Sequence, residues 1–192
     1  MAPTPASRST TEMRQQAFRL IRELSFRTGD FTLSSGEKSR YYLDMKPTMF
    51  HPDGVRALAQ LVLARLENVK VDWIGGLELG AVPLIAPVVM LANDQHRFIP
   101  GFFVRKQPKS HGTMKLVEAP EGALRGKNVV ILEDVTTKGD SALRAVRAAE
   151  EAGARVALVL SIVDREAGAA ALFKQNGIEF DSLFKVSAFL AA

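Results

Sequence analysis

The run Val129-Val130-Ile131-Leu132-Glu133-Asp134-Val135-Thr136-Thr137-Lys138-Gly139-Asp140-Ser141 constrains this chain more than any other stretch. Four consecutive apolar residues read as a strand buried on both faces, as in a parallel sheet. Glu133 and Asp134 stand where that strand is expected to end, and a hydroxyl-rich loop with a single glycine follows. Ala142, Ala145, Val146 and Ala149 then recur at the i, i+3, i+4, i+7 spacing of a helix packed on a sheet. Open α/β sheets bind ligands beyond the carboxyl ends of their strands. A loop entering a helix there offers an anion free backbone N–H groups and the positive end of a dipole. The two carboxylates repel phosphate but accept hydrogen bonds from sugar hydroxyls. One short segment is thus able to hold a phosphorylated sugar by both ends. It is not a Walker A loop, because Lys138 precedes Gly139.

At 192 residues, 47% hydrophobic and 24% charged, the chain has the size and composition of one α/β domain. A net charge of +4 and a pI near 9.5 suit an anionic substrate. No dense basic stripe with interleaved aromatics is present, so nucleic acid is not an expected partner. The absence of cysteine excludes disulfides, thiol nucleophiles and zinc–thiolate sites, and permits a reducing cytosol, so a cytoplasmic protein is expected. His51, His96 and His111 are too far apart to give metal-ligand spacing. No apolar run approaches the roughly 20 residues of a membrane span. Met1–Thr10 is Ala/Pro/Ser/Thr-rich without an apolar core, and is expected to be a flexible tail rather than a secretory signal. Residues 11–192 are expected to form a single domain.

The patterning predicts a helix over Thr11–Phe26, with Thr11 as cap and Gly29 as terminator, then a hairpin over Phe31–Leu43 around Ser34-Ser35-Gly36. A second helix is expected over Asp53–Leu66, a short strand over Val71–Ile74 and a buried helix over Ala81–Leu91, with Pro83 in its first turn. Strands are expected at Phe98–Val104, Arg155–Val163 and Phe180–Val186, and a short helix at Ala167–Gln175. Arg105–Glu121 shows no pattern. Strand and helix alternate from Val71 onward, so the sheet is expected to be parallel with right-handed crossovers.

The second informative segment is Arg105-Lys106-Gln107-Pro108-Lys109-Ser110-His111-Gly112-Thr113-Met114-Lys115, with five cationic or potentially cationic side chains in eleven residues. Like charges at that density suit a mobile loop that closes on a diphosphate better than a rigid one.

The first segment resembles the phosphoribosyl diphosphate (PRPP) signature of the type I phosphoribosyltransferases. Arg-Lys-x-x-Lys-x-His-Gly, spaced before it as here, resembles the catalytic loop of the orotate phosphoribosyltransferases. Phe31-Thr32-Leu33-Ser34-Ser35-Gly36 with Ser39 and Tyr41-Tyr42 is similar to that family's N-terminal substrate segment. Gly75-Gly76-Leu77-Glu78-Leu79-Gly80 followed by Pro83 is similar to its diphosphate-side turn, and Val163-Asp164-Arg165-Glu166 to the Asp-Arg that ends its next strand. Two positions depart from the pattern of some relatives, which have lysine where this chain has Ser34 and Leu79; Lys38 or Lys46 is a candidate to replace the first.

The resemblance implies an α/β type I phosphoribosyltransferase fold: a central parallel sheet flanked by helices, a small N-terminal hood and a flexible catalytic loop. It implies transfer of phosphoribosyl from PRPP to orotate, giving orotidine 5′-monophosphate and diphosphate in pyrimidine biosynthesis. Thr136, Thr137, Lys138, Gly139, Asp140 and Ser141 would cradle the 5′-phosphate, Glu133 and Asp134 would bind the ribose hydroxyls, and Val135 between them would belong to the same PRPP site. Arg105, Lys106, Lys109 and His111 would neutralise the diphosphate, with Lys109, His111 and Asp134 as the catalytic set. Thr137, Arg165, Tyr42 and Lys46 would contact orotate. Mg2+ would ride on PRPP rather than in a site of the protein's own. A homodimer sharing its active sites is the implied working unit. Two alternatives remain at this stage: a phosphoribosyltransferase for a purine or another base, disfavoured by the basic loop and Arg165, and a non-catalytic nucleotide sensor that binds RNA, disfavoured by Lys109 and His111.

Overall fold

In the computed structural model, which describes residues 9–32, 36, 38–108 and 115–192, the first described element opens with a capping box. The Ser9 hydroxyl accepts from the Glu12 N–H at 3.2 Å, and the Glu12 carboxylate accepts from the Ser9 N–H at 2.8 Å. Helix α1 (Thr10–Leu20) follows, so the cap is Ser9 rather than Thr11, and the expected tail gives up Thr10 to the helix. Residues 1–8 of that expected tail lie outside the described residues. The helix ends earlier than expected. A π-turn, Ile21–Ser25, leads into strand β1 (Phe26–Thr32). Gly29 does not terminate the helix; it lies within β1, where the pairing register shifts between Thr28 and Phe31. Strand β2 (Lys38–Leu43) pairs antiparallel with β1 to form a separate two-stranded sheet.

A short helix α2 (Lys46–Met49) and then α3 (Pro52–Arg65) lead to strand β3 (Trp73–Gly75). Helix α4 (Val82–Asp94) carries Pro83 in its first turn, where no helical N–H is required, and also Pro87 in its interior. Of the strand expected at Phe98–Val104, only β4 (Phe103–Val104) forms. Pro100 has no N–H to give a ladder, and Gly101 makes only an isolated bridge to Ile74. Strand β4 pairs instead with β5 (Val117–Glu118), an element hidden in the stretch that showed no pattern. These two strands form the stem from which the basic loop emerges.

Strand β6 (Asn128–Thr136), helix α5 (Asp140–Glu151), strand β7 (Arg155–Asp164), helix α6 (Ala169–Gln175) and strand β8 (Phe180–Lys185) complete the central sheet. Its order is β3-β6-β7-β8, and all its pairings are parallel. Strand β6 extends beyond the expected end at Leu132, because Val135 and Thr136 still pair with Val163 and Asp164 of β7. The two-residue alternation of a strand divides its apolar residues between two cores. Val130 and Leu132 pack with α1, α3 and α4 residues, and Val129 and Ile131 pack with α5 and α6 residues.

The chain then forms a helix, α7 (Val186–Leu190), where the sequence pattern had continued β8 to Val186. Phe189, 2% exposed, stacks on Phe18 at 4.5 Å and lies 5.6 Å from Phe26, joining the last element to the first. Truncating a buried ring removes its burial and leaves a cavity. Phe189→Ala is expected to lower stability by about 3–5 kcal/mol in urea unfolding; a loss below about 1 kcal/mol would show that α7 is not part of the cooperative core.

Candidate active site

A cleft of about 640 Å³ opens beyond the carboxyl end of β6 and is lined by Glu133, Val135 and every residue from Thr136 to Ala142. Tyr42, Leu43 and Thr32 of the small sheet and Arg165 at the end of β7 complete it. Gly139 enters α5 at φ 96, a left-handed conformation that glycine adopts without a Cβ penalty. No side chain caps α5, so its first-turn N–H groups remain available to an anion at the cleft.

Glu133 is buried and Asp134 half-buried. Glu133 is 7% exposed, and its Oε2 has no hydrogen-bond partner. Thr136, 2% exposed, also has an unpartnered hydroxyl. Asp134 accepts from the Val135 N–H at 2.8 Å. Burial first, and the neighbouring Asp134 charge second, push the Glu133 carboxyl up to about 8; burial also raises Asp134. Lys106 and Lys46 oppose these shifts electrostatically, Lys106 at Glu133 and Lys46 at Asp134. Among the described residues neither carboxylate is in a salt bridge.

The turn after β3 lies against this pair. A Cβ on Gly80 would stand 2.5 Å from Asp134 Oδ1, and one on Gly76 would collide with the Leu132 carbonyl and Ala81. Glu78 in the same turn accepts the Lys106 N–H at 2.8 Å, and Arg144 of α5 donates to the Lys106 carbonyl at 2.8 Å. The start of the basic loop is therefore pinned to both the turn and α5. Glu78 belonged to a segment already singled out, whereas nothing in the sequence marked Arg144.

The remaining expected site residues divide. Thr137, Lys138, Asp140, Ser141, Tyr42 and Arg165 line the cleft. Lys46 does not; its Nζ donates to Asp44 at 2.7 Å, and that hydrogen bond raises its pKa. Arg105 is paired with Glu118 at 3.5 Å at the loop's base, and its N–H bonds Leu116 across the stem. Lys109, His111 and Ser34 lie outside the described residues. Leu79, at the other departure, is 70% exposed. Tyr41, which had been assigned no role, receives a hydrogen bond from Arg165.

The chain is 47% identical to an orotate phosphoribosyltransferase of Bradyrhizobium diazoefficiens over 186 residues, 96% of this chain and all of that one. The chain belongs to the orotate phosphoribosyltransferase family. Among solved structures, Mycobacterium tuberculosis orotate phosphoribosyltransferase in complex with Fe(III) dicitrate superposes with a TM-score of 0.80 at 33% identity, covering 92% of this chain and 98% of that one. The same enzyme in complex with PRPP gives a TM-score of 0.76 at 30% identity, covering 92% and 98%. No family model matches the chain. The fold is that of the type I phosphoribosyltransferases, with the β1–β2 sheet in the place of the family's hood.

The burial of Glu133 has a consequence for stability. Between the ordinary glutamate value of 4.5 and about 8, the folded chain keeps a proton on Glu133 that the unfolded chain releases. Stability therefore falls as pH rises through that window. Glu133→Gln is expected to flatten the decline in melting temperature from about pH 5 to about pH 8 in scanning calorimetry of the ligand-free protein. Identical declines in the two proteins would show that Glu133 is ionised in the folded state throughout.

Proposed function

We propose that this cleft transfers the phosphoribosyl group of PRPP to orotate, forming orotidine 5′-monophosphate and diphosphate. The bond from ribose C1 to the diphosphate oxygen breaks, a bond from C1 to the orotate ring nitrogen forms, and that nitrogen's proton is released. The observation that carries this reading is one cleft lined by an uncapped helix N-terminus, a buried carboxylate with a free oxygen, an arginine and an exposed tyrosine. The Thr136–Ser141 segment receives the 5′-phosphate, and Glu133 and Asp134 receive the ribose hydroxyls. Arg165, Thr137 and Tyr42 receive the flat anionic pyrimidine. The family membership and the PRPP complex of the M. tuberculosis enzyme support this assignment.

No covalent nucleophile is needed. Catalysis consists of positioning, neutralising the leaving group and excluding water. Lys109 and His111, carried by a loop whose stem is β4–β5 and whose first residues are pinned by Glu78 and Arg144, meet the diphosphate on closure. Among the described residues no group of three or more His, Cys, Asp or Glu side chains is arranged to hold a metal ion. The free Glu133 oxygen and the Asp134 carboxylate are hard oxygen donors that suit Mg2+ arriving on PRPP, where the ion would neutralise diphosphate charge. Residues 11–192 work as one domain in a cytoplasmic homodimer with shared active sites. The exposed apolar side chains of Met90 on α4, and of Leu79 and Phe98 on either side of that helix, supply a surface suited to a second copy. No helix among the described residues is long and apolar enough to cross a membrane.

The direct test is diphosphate release, which should require both PRPP and orotate and should not occur when uracil, adenine or hypoxanthine replaces orotate. Release with a purine but not with orotate would overturn the substrate assignment. Lys109→Ala is expected to lower kcat by about 100–1,000-fold while changing the KM for PRPP little, because its contact forms chiefly in the transition state. Mixing Lys109→Ala with Arg165→Ala is expected to restore activity, since some heterodimers would retain one intact site. Failure of the mixture after demonstrated subunit exchange would exclude shared sites.

A further inference from the structure

We propose that Tyr41 is a positioning residue: it holds Arg165 so that the terminal edge of the guanidinium faces the pyrimidine. Tyr41 is not among the residues lining the cleft, so its contribution runs through Arg165. The inference rests on Arg165 binding the pyrimidine, as proposed above.

Arg165 Nε donates to the Tyr41 hydroxyl at 2.9 Å, and its Cζ lies 4.8 Å from the centre of the Tyr41 ring. The one side chain thus supplies both an acceptor and a π face to the guanidinium. An arginine presents two bidentate edges, one including Nε and one formed by the two terminal nitrogens. With Nε committed to Tyr41, the terminal edge is the one left for acceptor oxygens of a ligand. The backbone of Arg165 is fixed as well, its N–H donating to the Thr136 carbonyl at 2.8 Å. Held at both ends, the side chain loses little further freedom when it binds a ligand.

Tyr41 is itself buttressed. Its ring stacks on Phe26 at 5.7 Å, and Phe26 lies against Phe189 of α7 at 5.6 Å. The residue after Arg165 joins the same support, since the Glu166 carboxylate accepts the Ser187 N–H of α7 at 2.9 Å. The hood sheet and the C-terminal helix thereby converge on one arginine. Adjacent Tyr42 points its surface differently: it is 44% exposed and lines the cleft directly. Two neighbouring tyrosines on β2 therefore take separate tasks, one touching substrate and one orienting the group that does.

The test is calorimetric affinity for orotidine 5′-monophosphate and, separately, for PRPP, in wild type, Tyr41→Phe, Arg165→Ala and the double variant. Tyr41→Phe keeps the ring on Phe26 and removes only the hydroxyl. It is expected to weaken the nucleotide about tenfold, the effect of losing a hydrogen bond to a charged group, while PRPP affinity stays within about twofold. In the Arg165→Ala background the same change should have no further effect. If Arg165→Ala weakens the nucleotide and Tyr41→Phe does not, the positioning role falls and the reading of Arg165 stands. If Arg165→Ala leaves nucleotide affinity intact, the reading of Arg165 falls and takes this inference with it. Equal losses for both ligands, or additive losses in the double variant, would mean that Tyr41 acts on the fold at large, and would overturn the proposal.

Discussion

Two adjacent carboxylates, Glu133 buried and Asp134 half-buried, stand near the end of the central strand without a salt bridge among the described residues, and much of the site is arranged around them. Burying an acid that lacks full hydrogen bonding opposes folding. The chain tolerates it because β6 continues to pair with β7 past the acids as far as Thr136, fixing the backbone whatever the side chains prefer. The turn after β3 then closes against Asp134, which a side chain at Gly80 would prevent. The result is a preorganised acceptor facing a cleft, with the N-terminus of α5 supplying donors at the same cleft. Sugar hydroxyls and a phosphate are complementary to that division of charge.

Around this centre the more distant parts are tied by a few polar contacts. The basic loop leaves from a two-strand stem and is fixed at Lys106 by Glu78 on one side and Arg144 on the other. The Arg165 end of the cleft is held by the small sheet, where Tyr42 reaches the cleft and Tyr41 accepts a hydrogen bond from Arg165. Aromatic stacking through Phe26 and Phe189 connects that sheet to the C-terminal helix. Local stability at this cleft-lining arginine therefore depends on elements from both ends of the chain.

What the sequence disclosed follows the reach of its physical signals. The strand–acid–loop–helix segment was legible because buried apolar runs, helical spacing and turn chemistry all lie within thirteen consecutive residues. Helix α3 was legible for the same reason, within a residue at each end. Elements defined by partners rather than by periodicity were not. Strand β5 is two residues long and exists through its pairing with β4, and α7 is a single short helix whose meaning lies in the rings it meets. Gly29 looked like a helix terminator, but the helix had already ended in a π-turn. The bond from Arg165 to Tyr41 spans 124 residues, beyond any local pattern. Lys46 was a candidate only as a stand-in for the family lysine absent at Ser34, and in the structure its Nζ donates to Asp44.

If the acid pair is kept because it binds ribose, relieving its burial should improve the empty protein and impair the loaded one. Glu133→Gln separates these effects: it keeps the shape, removes the ionisable group, and should spare stability at pH values where the wild-type acid is forced to titrate. The most direct measurement is its calorimetric affinity for PRPP with Mg2+, beside wild type at about pH 9, above the Glu133 value of about 8, where the wild-type carboxylate carries its charge. The account predicts a loss of about tenfold or more, from a weakened charge-assisted hydrogen bond to a ribose hydroxyl, in a protein at least as stable as wild type. Unchanged affinity would contradict it, and would mean that the buried carboxylate at the end of β6 does not bind the sugar.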